Sequence, residues 1–288
     1  MLLSLIAALL FGPASATDPP PQSAQPVEVS LVAADLHPDR YEQFPTYDTE
    51  AERQLLQLTN RERERVGALP LRLDESLTAA ARAHAAAMAS RRELSHQLTG
   101  EPPLDQRLAK SPLHLANAGE NVAWDVDIEQ AHVGLMNSPH HRENLLRADY
   151  NVVGLGVARI GDRLYVTEDF GHSLPVYSVE QAENIVAASL ARARGQASHS
   201  QLRRLQLGGL RQATCSMANQ DQLNPKAIRD LGPLHYILTY TNMQPDLLPA
   251  SAAKVMGDTN VRSFAVGACF AHTPKYPNGA YWVTVAFY

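Results

Sequence analysis

Between Ala51 and Gly67 the chain reads "AERQLLQLTNRERERVG". Its leucines cluster in the first half and charged residues fill the second, and the end signals predict a helix that stops at Gly67. Thr49 stands where an N-cap belongs, and Glu52, three residues on, where its reciprocal partner belongs. A second helix is expected from about Asp74, in "DESLTAAARAHAAAMASRREL". Its alanine density favours helix, and Leu77, Ala80, Ala81, His84 and Met88 keep helical spacing. His84, and His132 further on, read as partly exposed helix residues. The segment "NVVGLGVARIGDRLYVTEDF" is β-rich on both sides of Gly161-Asp162, which predicts a hairpin with a tight two-residue turn. Its "GLG" is no dinucleotide fingerprint, because Arg159 takes the third-glycine position and a strand follows.

The pattern then starts again. "YDTEAERQLLQLTNRERERVG" from Tyr47 has a partner in "YSVEQAENIVAASLARARGQ" from Tyr177, and Ser178 and Gln181 repeat the capping box. Arg82, Met88, Ala89 and Leu94 match Arg211, Met217, Ala218 and Leu223 at a constant offset of 129. The chain ends "VGACFAHTPKYPNGAYWVTVAFY", again strand, Asn-Gly turn and strand. Two units of one architecture are expected; chance likeness of two helix-then-hairpin segments is the alternative. By the offset of 129 Cys215 corresponds to Ala86; with Gly267 aligned on Gly156, an offset of 111, Cys269 corresponds to Ala158. Two small residues at those places suggest a close helix-to-strand contact that a disulfide could bridge, two buried free thiols being the other reading.

The first residues change the setting. "LLSLIAALLF" is apolar but too short to span a bilayer, which takes roughly 20 residues. Ala14-Ser15-Ala16 fits a leader-cleavage rule, so residues 1–16 read as a signal peptide and 17–45, rich in proline, as a linker or arm. The mature chain is expected to be secreted or periplasmic, with no integral membrane segment. The net charge of −5 and the lack of a basic stripe argue against nucleic acid as partner.

Three segments carry polar residues that helix or strand packing leaves unexplained: "ELSHQ" with His96, "NAGENVAW" with Glu120, and "SPHHREN" with His140 and His141. Each lies beside an expected element end: His96 after the second helix, Glu120 at the start of a short strand, His141 near a helix start. Two imidazoles and a carboxylate that converge could hold a divalent ion or move protons near neutral pH. Spacing alone does not show that they meet.

In order and at suitable spacing, "LTNRERERVGALPLRLDESLTAAARAHAAAMA", "LSH", "GENVAW", "LMNSPHHRENLL", "NVVGLGVA" and "YVTEDF" resemble the bacterial branch of the CAP, or SCP, superfamily over residues 47–172. Its namesakes are the cysteine-rich secretory proteins, antigen 5 and the plant pathogenesis-related proteins. The resemblance implies an α+β fold, a three-layer α-β-α sandwich, over 46–174; residues 176–288 would then be a second, degenerate CAP-like unit. It also implies a cleft with His96, Glu120 and His141 as metal or ligand-binding residues. Ser138 stands where many relatives carry a second glutamate, which lowers the charge available to an ion. Zinc or calcium is the cofactor such a cleft would take. His140 would be an exposed neighbour, Asn121 a structural residue, and Asn60 and Arg61 buried polar ties. The implied function is a secreted, non-catalytic binding module for a lipid, a small ligand or a partner protein. A metal-dependent, peptidase-like hydrolase and an envelope interaction protein are the alternatives.

Overall fold

The computed structural model describes residues 44–198 and 200–288. The expected signal peptide, and the linker up to residue 43, lie outside them. The first half runs β1 (Thr46–Tyr47), α1 (Thr49–Arg65), β2 (Arg72–Leu73), α2 (Glu75–Arg91), α3 (Leu104–Leu108), β3 (His114–Asp125), α4 (Ile128–Asn137), α5 (Pro139–Leu146), β4 (Val152–Ile160) and β5 (Arg163–Leu174). Its sheet has the order β1-β4-β5-β3, with β2 parallel to β4 and the other pairs antiparallel.

Strand β4 shows why the sheet lies between two helical layers. Side chains alternate between faces along a strand. Val153, Leu155 and Val157 join a core with Leu55 of α1, Ala131 and Leu135 of α4, and Leu145 of α5. The alternate positions are Val152, Gly154, Gly156 and Ala158, and they face α2 and α3. Added Cβ atoms at Gly154 and Gly156 would strike the backbone of α2 at Leu77 and Ala81. The two glycines of "GLG" therefore let the helix lie directly on the strand. The result is the expected α-β-α layering.

Local signals hold in part. Asp74 caps α2, accepting from the Ser76 and Leu77 amides, and Gly161 turns the hairpin with φ +61°. The cap of α1 is Asp48 and not Thr49; its carboxylate accepts from the Ala51 amide at 3.0 Å. Glu52 is drawn elsewhere. It takes two bonds from Arg82, 2.8 and 2.6 Å, and one from the Val157 amide, 3.3 Å. It fills the stretch of β4's edge between the residues paired with β1 and those paired with β2.

The second half runs α6 (Val179–Ser198), β6 (Arg203–Arg204), α7 (Leu210–Asn219), α8 (Lys226–Arg229), β7 (Tyr236–Asn242), α9 (Ala252–Gly257), β8 (Ser263–Ala271) and β9 (Ala280–Phe287). Its sheet order is β6-β8-β9-β7, with β6 parallel to β8 and the rest antiparallel. These are the order and senses of β2-β4-β5-β3. Ser178 and Gln181 form the reciprocal capping box, 2.9 and 3.2 Å. Glu183 takes two bonds of 2.8 Å from Arg211, as Glu52 does from Arg82. Cys215 and Cys269 form a disulfide between α7 and β8, with their α-carbons 5.2 Å apart. One expectation fails: Asn278-Gly279 is not a tight two-residue turn. The link between β8 and β9 is longer and carries its own Thr273–Tyr276 backbone turn.

The halves meet at an aromatic junction. His114 of β3 packs edge-on against Phe270 of β8 and Tyr281 of β9, with ring centroids 4.9 and 5.8 Å apart.

Candidate functional site

The site lies at β3, the sheet's outer strand. Glu120 sits in the middle of this twelve-residue strand, not at the start of a short one. His96 follows α2 in the loop before α3, and His141 lies in the first turn of α5. The structure brings them together. His96 Nδ1 lies 2.9 Å from Glu120 Oε1, and the rings of His96 and His141 face each other with centroids 6.4 Å apart. The His96 side chain is 58% exposed while that of Glu120 is 3% exposed, so the imidazole is the part a ligand meets. Burial, with His96 and His140 adding repulsion, pushes the His141 pKa down, so its ring is neutral near pH 7.

Sequence patterns did not reveal Arg107. It lies on the five-residue α3, too short for a periodic signal. Its guanidinium donates to Glu120 Oε2 at 2.6 Å and to the His96 carbonyl at 3.1 Å. Both oxygens of Glu120 are therefore engaged, one by His96 and one by Arg107. Among the described residues no group of three His, Cys, Asp or Glu side chains is placed to hold a metal ion. The expected three-ligand set of His96, Glu120 and His141 does not fit an ion in this arrangement: Glu120 is neutralised by Arg107 and orients His96 instead of facing the cleft. Two imidazoles remain. Ser138 ends α4 and precedes Pro139 at the start of α5, half-buried and without a side-chain cap bond. His140 is exposed.

A second layer of polar residues backs this pair. Asn121 Nδ2 donates to the His141 carbonyl at 3.1 Å and to Glu168 Oε2 at 3.0 Å, and Asn121 Oδ1 accepts from Asn144 at 3.0 Å. Glu168 is fully buried, and desolvation pushes its pKa up to about 7 against the bonds from Asn121 and Thr59. Asp169 pairs across the ladder with Glu120, and neither of its oxygens has a hydrogen-bond partner among the described residues. Burial, then the Glu120 charge, pushes its pKa well above the usual carboxylate range.

Other residues stand differently from the reading above. His84 is fully buried, bonded to Glu101 at 2.8 Å and to the Ser95 carbonyl at 2.9 Å. His132 is buried too, and desolvation pushes its pKa down. The alanine-rich α2 has little contrast between its faces, so spacing gave no hint that His84 points inward. Asn60 is the expected tie, exchanging bonds with both backbone groups of Leu71. Arg61 is exposed, and the buried arginine of that helix is Arg63.

Comparison with known proteins agrees with this architecture. The family model CAP, the cysteine-rich secretory protein family, matches residues 56–170. The uncharacterized membrane protein YlbC of Bacillus subtilis is 35% identical over 130 residues, 45% of this chain and 36% of that protein. The uncharacterized protein YkwD of the same organism is 33% identical over 112 residues, 38% of this chain and 43% of that protein. The chain thus spans less than half the length of these relatives. An extracellular protein containing a SCP domain from Bacillus anthracis is similar in structure, with a TM-score of 0.40 and 28% identity over 49% of this chain and 45% of that one. Over residues 56–170 this chain is thus similar to the CAP domains of the cysteine-rich secretory protein family.

Proposed function

We propose that this chain is an exported binding protein whose CAP domain holds its ligand between His96 and His141 and carries out no reaction of its own. The facing of two imidazoles, one half-exposed and fixed by a neutralised glutamate, supports this reading most directly. Such a pair offers hydrogen-bond donors and acceptors to a polar headgroup, a small molecule or a segment of a partner protein. Hydrolysis would need an activated nucleophile. The Ser95 hydroxyl is turned to the Gln97 carbonyl at 2.9 Å, and no described hydroxyl bonds to either cleft histidine. Export is supported by the apolar leader with its Ala-Ser-Ala site and by a disulfide, which persists in oxidising compartments. No helix among the described residues is long and apolar enough to cross a membrane. We read residues 176–288 as a degenerate copy of the CAP unit, on the shared strand order and the repeated Glu-Arg tie.

The test is native mass spectrometry of the exported protein beside His96→Ala and His141→Ala, followed by lipid extraction and by calorimetry with zinc chloride. A bound species that both variants lose is the expected result. Unchanged spectra and unchanged titrations in both variants would remove the cleft from the binding function and favour an interaction surface elsewhere.

A further inference from the structure

We propose that Glu168 and Asp169, neighbours on β5, are the positioning residues of the cleft: Glu168 sets His141 through Asn121, and Asp169 sets His96 through Glu120. The inference rests on the reading of the two histidines as the ligand-facing pair.

Adjacent strand residues point to opposite faces of a sheet. Glu168 stands opposite Asn121 and Asp169 opposite Glu120, so each face of the sheet carries one carboxyl and one partner. On the first face Glu168 reaches Thr59 of α1 and Asn121. Glu168 Oε2 accepts from Asn121 Nδ2 at 3.0 Å, which turns the amide nitrogen, not the amide oxygen, toward the carboxyl. The same nitrogen then holds the His141 carbonyl, and the amide oxygen is left for Asn144. The start of α5 is thereby fixed from the sheet. On the other face Glu120 spends one oxygen on His96 and one on Arg107. Asp169, the ladder partner of Glu120, lies buried beside it on the same face and backs it there, so Glu120 stays on His96.

The second sheet shows that the fold does not need these groups. Gly156 pairs with Thr167, and Gly267 with Thr284. With these pairs matched, Glu168 and Asp169 fall on Val285 and Ala286, and Asn121 and Glu120 fall on Leu238 and Ile237. Those residues pair in the same register, Ile237 with Ala286 and Leu238 with Val285. A sheet of the same order closes with four apolar residues there. Burying carboxyls costs stability unless something else requires them. The polar four occur in the half that has the histidines. In the other half His96 corresponds to Pro225, and neither Gly-Glu-Asn nor Ser-Pro-x-His-Arg occurs.

The experiment records the ring carbon-proton signals of His96 and His141 in the full chain, assigned with His96→Ala and His141→Ala. Glu168→Val and Asp169→Ala install the residues of the second sheet. Glu168→Val is expected to shift the His141 signals and spare His96; Asp169→Ala is expected to do the reverse. The near-isosteric Glu168→Gln and Asp169→Asn should restore signals close to wild type. Asn121→Asp, which keeps the size but removes the amide donor, offers a second route if the apolar variants fail to fold, and should move His141 alone. Equal shifts of both histidines in every variant would mean general loosening and would overturn the proposal, as would no shift in any. Native mass spectra of the same samples separate the two ideas: selective shifts in a protein with no bound species that His96→Ala or His141→Ala removes would refute the binding reading and leave the positioning roles standing.

Discussion

Arg63 spends its guanidinium on carbonyls. Its nitrogens donate to Leu69, Leu145, Arg147 and Tyr150 at 2.8 to 2.9 Å, and it is fully buried. Those carbonyls close the loops after α1 and α5, and no water reaches the cation. Arg194 does the same for Met256, Asp258 and Val261, each 111 residues beyond an Arg63 acceptor. Charge-assisted bonds are worth about 1.5–3 kcal/mol each, and orphaned buried carbonyls add a penalty. Arg63→Met should therefore cost at least about 3 kcal/mol, measured by urea unfolding; a loss within 1 kcal/mol would show that the loops hold without it. Glu168 makes the second prediction at this scale. Its pKa lies at about 7 when folded, against 4.5 ordinarily. A raised folded pKa means that the stabilising share is full below the unfolded value and is lost as pH rises through 7. His132, whose pKa burial lowers, has the opposite sign and weakens the fold as pH falls below its ordinary 6.5. Comparing wild type with Glu168→Gln isolates the carboxyl. The wild type should lose on the order of 3 kcal/mol relative to the variant between pH 4.5 and 9; parallel profiles would show that Glu168 does not titrate in this window. None of these residues was legible in the sequence as buried. An arginine on a helix with charges all round, and a Glu-Asp step in a strand, carry no local sign of where they point.

Elements were easier to read than residues, because caps and turns are local chemistry. Asp74, Gly161-Asp162 and the Ser178–Gln181 box mark real boundaries. The cap at Thr49 was misplaced by one residue because a tertiary partner, Arg82, claims Glu52. The length of β3 was missed because its polar stretch, Asn117 to Asn121, looks like a loop until the cleft accounts for it. The helix-to-strand contact was legible through small residues alone. Cys215 and Cys269 pair where the first half has Ala86 and Ala158, which belong to one packed cluster of α2 and β4. Matching positions should share α-carbon spacing. Ala86→Cys with Ala158→Cys is therefore expected to oxidise to a second disulfide, adding up to about 4 kcal/mol in the chain-entropy model. Thiol titration of the unfolded, unreduced variant checks it, and two free thiols would show that the two contacts differ.

Across the whole molecule the two sheets are tied by different means. The first half relies on packing and on buried polar ties; the second adds a covalent bridge across a sequence separation of 54. The bridge constrains only chain between Cys215 and Cys269, a segment that includes β7, α9 and most of β8. In the chain-entropy model a loop of this length is worth about 4 kcal/mol, all of it inside the second half. The contact between the halves is small by comparison: His114 against Phe270 and Tyr281. A junction of that kind transmits little of a stability change from one core to the other. Reducing the disulfide should thus speed hydrogen exchange of the β7, β8 and β9 amides while β4 and β5 keep their protection. The rings of His96 and His141, both in the first half, should keep their carbon-proton signals. Local opening energies differ between cooperative units within one chain, so exchange resolved by segment is the measurement that reads this. Equal loss of protection in both sheets would show instead that the halves unfold as one cooperative unit and that the aromatic junction couples them.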